Sequence, residues 1–106
     1  MFTPHANLVE REILPGFSGR FYHGQSLTLA RWTVQAGSQL PVHQHHHEQV
    51  TSVIQGNFEM TIGDQTAVLS PGDTVVIPAD VPHSGTALTD CLLVDAFSPP
   101  RDDYQN

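Results

Sequence analysis

The stretch His43-Gln44-His45-His46-His47-Glu48-Gln49-Val50 holds four of the chain's seven histidines. In an extended segment, residues two apart share a face and stand about 6.6 Å apart along the strand. His43, His45, His47 and Gln49 then face one way, while His46 and Glu48 face the other. Imidazole is a ligand that zinc, iron, nickel and copper share, and a glutamine can coordinate through its amide oxygen. The carboxylate of Glu48, the more familiar ligand, has the wrong parity. His47 stays in the candidate set unless the chain bends between His45 and Gln49. A further histidine, His83, follows the proline-bounded turn Pro78-Ala79-Asp80-Val81-Pro82. The cluster predicts a metal site, in which His5, His23 and His46 are assigned no part.

Working outward, the flanks read as short strands. Residues 26–35 alternate, with Ala30, Trp32 and Val34 on one face, and stop at Ala36-Gly37. Residues 50–54 are β-branched and apolar, and Gln55-Gly56-Asn57 breaks them. Phe58, Met60 and Ile62 alternate up to Gly63-Asp64, a two-residue hairpin signal, and residues 67–69 return. Residues 74–77 run into Pro78, and residues 91–97 end at Ser98-Pro99-Pro100. No stripe of helical period competes with these runs. The pattern predicts one all-β domain over residues 1–106, a sandwich or barrel. Only the tail 101–106 looks able to be disordered.

Composition narrows the partners. No apolar run approaches the roughly 18 residues of a membrane span. The start, Met1-Phe2-Thr3-Pro4-His5, carries no signal-peptide pattern, so a cytoplasmic location is expected. The single cysteine, Cys91, sits in an apolar run and reads as a small core residue. Eleven acidic residues against four arginines and no lysine give a formal charge of -7. That balance disfavours nucleic acid and anionic membrane. An anionic small molecule would need one of the four arginines to hold it.

Within residues 91–97, Cys91, Leu93, Asp95 and Phe97 share a face. Asp95 is the anomaly, because a carboxylate among apolar side chains is costly unless it is paired or has a chemical task.

Together these pieces resemble a cupin, which implies a double-stranded β-helix, or jelly-roll barrel. The first cupin motif, Gly-(x)5-His-x-His-(x)3–4-Glu-(x)6-Gly, is matched by Gly37, His43, His45, Gln49 and Gly56, with Gln in place of Glu. The second, Gly-(x)5-Pro-x-Gly-(x)2-His-(x)3-Asn, is matched by Gly72, Pro78, Asp80, His83 and Ala87, with Asp80 in place of Gly and Ala87 in place of Asn. The motifs cover residues 37–56 and 72–87. Three imidazoles and an amide oxygen carry no charge, so a divalent ion held by them keeps its full charge, which favours Lewis-acid work.

Within the cupins, the histidine stretch and the pattern Asp95-x-Phe97-x-x-x-Arg101 are similar to the small KdgF-type proteins of pectin and alginate breakdown. That resemblance implies a divalent metal (Ni, Zn, Fe, Mn or Co) on His43, His45, Gln49 and His83, with Asp95, Phe97 and Arg101 completing an active site. It implies ring opening of 4,5-unsaturated monouronates to linear 4-deoxy-5-keto uronates, in a protein expected to form a homodimer. The competing readings are a cupin dioxygenase and a non-catalytic sugar-acid-binding cupin. The first would consume oxygen, and the second would leave Asp95 without a purpose.

Overall fold

The computed structural model describes residues 1–105 and leaves Asn106 outside the described residues. The strands among them are β1 (Arg11–Leu14), β2 (Phe17–His23), β3 (Thr28–Val34), β4 (Gln39–His43), β5 (Glu48–Gln55), β6 (Phe58–Ile62), β7 (Gln65–Leu69), β8 (Thr74–Ile77), β9 (His83–Ala87) and β10 (Cys91–Ser98). They pair antiparallel into a six-stranded sheet, β1-β2-β3-β10-β5-β8, and a four-stranded sheet, β4-β9-β6-β7. The sheets close over a core in which Phe58, Ile77, Val34 and Val53 are almost wholly buried. This is the all-β barrel the sequence predicts. No helix among the described residues is long and apolar enough to cross a membrane, and Cys91 is buried as expected.

Alternation and apolar runs bounded by turn residues located β3, β5, β6, β7, β8 and β10, and missed β1, β2, β4 and β9. Each of the last three has a physical reason to hide. In β2 the inward position between Phe17 and Phe21 is Gly19, where a Cβ would lie 2.7 Å from the Phe21 ring and 2.9 Å from Trp32. In β4 Pro41 argues against a strand, but β4 is a sheet edge, where a missing N–H is tolerated. In β9, His-Ser-Gly-Thr-Ala carries little apolar signal, and Gly85 makes room for the Phe58 ring.

The histidine stretch is not one extended run. β4 ends at His43, residues 44–47 bend, and β5 begins at Glu48. A second turn, residues 78–82, lies against it, its Asp80 N–H donating to the His45 carbonyl at 2.8 Å. Asp80 has φ +63°, a conformation that suits the glycine of the cupin pattern and that aspartate adopts more readily than most residues. Ala87 needs no side chain for its task. Its backbone holds the Gly37 turn through Gly37 N–H to Ala87 O at 2.7 Å and Ala87 N–H to Ser38 O at 3.0 Å.

Within the described tail, Arg101 and Tyr104 pack against the barrel, while Asp102, Asp103 and Gln105 are exposed. Arg101 is buried, and its N–H donates to Thr28 Oγ1 at 2.9 Å. A 3-10 turn, Asp102–Tyr104, follows, with the Tyr104 ring stacked on Phe21 at 4.6 Å. Arg11 donates to the Tyr104 carbonyl.

Candidate metal centre

Three imidazoles meet between the sheets. Register makes His43 and His83 a cross-strand pair on β4 and β9, and their ring centroids lie 4.1 Å apart. His45 arrives from the bend, 5.0 Å from the His83 ring. One ligand nitrogen from each lies within 4.8 Å of the others. Their orientation is fixed from behind. The Nδ1 of His43 faces Pro41 O at 2.9 Å, that of His45 faces His47 O at 3.0 Å, and that of His83 faces Val81 O at 2.9 Å. A carbonyl only accepts, so in each neutral ring the proton sits on Nδ1 and the Nε2 lone pair points to the centre, as metal ligation requires. Burial lowers the pKa of His45 and, to about 4, that of His83, which favours the neutral form of both rings.

Two features fit a cation there. His83 Nε2 is buried with no hydrogen-bond partner. Gln49 Oε1 stands 3.1 Å from His45 Nε2, a meeting of two acceptors that a cation between them would explain. The bend puts His47 outside this cluster. Its carbonyl orients His45, while its ring packs near Phe97 at 6.4 Å. His5, His23 and His46 are exposed and lie elsewhere.

Gln49, Thr51 and Asp95 follow from strand register. β10 pairs with β5 so that Phe97 lies opposite Gln49 and Asp95 opposite Thr51. The Gln49 amide donates to Thr51 Oγ1 at 2.9 Å, and the Thr51 hydroxyl donates to Asp95 Oδ1 at 2.5 Å. Trp32 Nε1 donates to Asp95 Oδ2 at 2.9 Å. Burial pushes the Asp95 pKa up to about 6, against the pull of those donors. A carboxyl so tuned can exchange protons near neutral pH.

Arg101, Phe97 and Asp95 line one cavity together with His43 and Gln49. Arg101 is the one arginine among the described residues on that cavity. Its guanidinium lies 4.7 Å from the Phe97 ring centroid and 4.2 Å from that of Tyr104. Nε and Nη2 donate to Asp103 at 2.9 and 2.7 Å, which holds the Asp103 carboxyl below its ordinary pKa. Of the five guanidinium N–H groups, three therefore remain, and any second carboxylate must bind at that end. Sequence reasoning did not find Thr51, Trp32's contact with Asp95, Asp103 or Tyr104. Thr51 alone left a signal, a polar residue at even spacing between Gln49 and Val53.

Residues 30–97 match the family model described as Cupin domain. The structure of KdgF from Halomonas sp. superposes with a TM-score of 0.92 at 32% identity, over 99% of this chain and 98% of that one. An RmlC-like cupin from Shewanella frigidimarina gives 0.93 at 28% identity, over 98% and 95%. The pectin degradation protein KdgF of Dickeya dadantii is 33% identical over 64 residues, 58% of each chain. The match thus spans little more than half of that relative.

Proposed function

The chain belongs to the cupin domain family, and on that premise we propose that it is a metal-dependent enzyme opening the ring of 4,5-unsaturated monouronates. The observation that carries this reading is the shared cavity. A proton carrier, Asp95, and a carboxylate binder, Arg101, open onto the same space as the candidate ligands His43 and Gln49. The likeness to the pectin degradation protein KdgF supports a pectin-derived substrate, and alginate-derived uronates rest on the resemblance of the sequence motifs. Exposed apolar residues on the outer face of the six-stranded sheet, Ile54, Val76 and Leu92, support the homodimer. A cytoplasmic location belongs to the same reading.

The substrate is a cyclic hemiacetal whose ring oxygen sits on the C4=C5 bond, with a carboxylate on C5. His43, His45, His83 and Gln49 would hold the metal, which when bound supplies Lewis-acid stabilisation of charge developing on oxygen. Arg101 fixes the uronate carboxylate through the N–H groups that Asp103 leaves free. The Phe97 ring walls the sugar. Asp95 takes the proton of the C1 hydroxyl as the bond from C1 to the ring oxygen breaks, giving the aldehyde and a C5 enolate. It then returns that proton to C4, and the enolate becomes a ketone. Thr51 and Trp32 occupy one lone pair on each Asp95 oxygen, so the proton travels on a lone pair facing the cavity. The reaction is an isomerisation, with no oxidant.

The test is the loss of ultraviolet absorbance of the conjugated C4=C5 bond, using a monouronate freshly made by a lyase and scored against the enzyme-free rate. Rates should be equal in air and under anaerobic conditions, and chelation should return them to background. Strict oxygen dependence would transfer the reading to a dioxygenase.

A further inference from the structure

Shape does not decide which end of the Gln49 amide faces the histidines, because oxygen and NH2 are nearly isosteric. A hydrogen-bond chain does decide it, and its direction is set at the far end. The Trp32 indole can only donate, so Asp95 Oδ2 accepts at 2.9 Å. When Asp95 is ionised, its other oxygen can only accept, and it takes the single Thr51 hydroxyl proton at 2.5 Å. With that proton committed, Thr51 meets Gln49 as an acceptor, and the Gln49 atom 2.9 Å away is the NH2. The amide oxygen is left facing the imidazoles. Thr51 is 1% exposed, Gln49 5%, and Asp95 and Trp32 each 7%, so bulk water does not compete to reverse the chain.

We propose that this polarised chain is what makes Gln49 a metal ligand. Thr51 is the positioning residue that presents the amide oxygen to the cation, and Trp32 and Asp95 set the direction. The proposal rests on the metal site above and not on the identity of the substrate.

It has an unusual consequence for Asp95→Asn. The new amide oxygen must serve the Trp32 donor, so its NH2 faces Thr51. The Thr51 proton then turns toward Gln49, whose oxygen rotates away from the histidines. Gln49→Glu should undo this, because a carboxylate can accept the reversed Thr51 proton on one oxygen and offer the other to the metal.

The experiment is nickel titration against a chromophoric chelator, with no substrate present. Thr51→Val and Asp95→Asn should each weaken nickel binding about 10- to 100-fold, the range for removing a group that orients a ligand. Thr51→Ser should bind like wild type. In a Gln49→Glu background, Asp95→Asn should cost no affinity, a coupling that loss of packing alone would not produce. Should Thr51→Val fail to fold, the two Asp95→Asn comparisons decide. An equal loss in both backgrounds, or Thr51→Val binding like wild type, overturns the proposal and leaves the metal site standing. A wild-type protein that binds no nickel removes both.

Discussion

β10 lines the cavity with Asp95 and Phe97, the histidine bend brings His45 to the imidazole cluster beside it, and the two position their side chains by different means. On β10, Asp95 and Phe97 point inward because a strand alternates and the register with β3 and β5 is continuous around them. In the bend at residues 44–47, alternation is interrupted. There, His45 is aimed by one hydrogen bond to the His47 carbonyl. A strand places a functional group through many shared backbone bonds, and a bend does so through one or two. At saturating metal, changes on β10 should therefore fail in chemistry, while changes in the bend should fail in binding.

The largest effect is expected at the histidines. His45→Ala or His83→Ala should abolish metal binding by elemental analysis and reduce turnover to the enzyme-free rate. His46→Ala, whose ring is exposed, should leave one metal per chain. Retention of metal by His45→Ala would break the comparison at its binding side.

Next comes Asp95→Asn at saturating metal, which should lower kcat by about 10² to 10⁴, the usual contribution of a positioned acid or base. Saturation matters, because the same substitution reverses the chain that presents Gln49. A variant as fast as wild type would leave the strand wall without a chemical role.

The third effect is on stability, read in chelator by denaturant unfolding. The folded pKa of Asp95, about 6, lies above its ordinary 3.8, so the folded state holds the proton more tightly. Wild type should be most stable relative to Asp95→Asn below about pH 4 and lose that advantage as pH rises through 6. The loss is at most about 3 kcal/mol, from 1.36 kcal/mol per unit. A flat difference between pH 4 and 7 would show that burial does not strain this carboxylate.

Arg101→Ala should have the smallest effect, raising KM about tenfold with little change in kcat, because a carboxylate contact is made in ground and transition states alike. An equal fall in kcat and kcat/KM would instead give Arg101 a role confined to the transition state.

How legible all this was in the sequence follows the same division. Alternation in residues 91–97 was enough to place Asp95 and Phe97 on an inner face, and four sequence-named residues, His43, His45, His83 and Gln49, do converge. The parity used for His43 and His45 assumed an extended run that the chain does not form. They meet because His43 pairs with His83 across β4 and β9 and the bend returns His45 to the same point. Arg101, which had looked like part of a loose tail, is buried because Thr28 holds its backbone and Asp103 its side chain.

The sequence by itself determined the all-β class, the strand faces and the residue types from which a metal site is built, because side-chain direction along a strand is a local property with period two. Tertiary structure alone decided which of those residues meet. Thr51 reaches Asp95 across 44 positions of sequence and Trp32 reaches it across 63. Those meetings depend on strand order and register, which are set by how the sheets bury their inner faces. The direction of the Gln49 amide is the furthest removed from sequence, since it depends on three partners brought together only when the barrel closes.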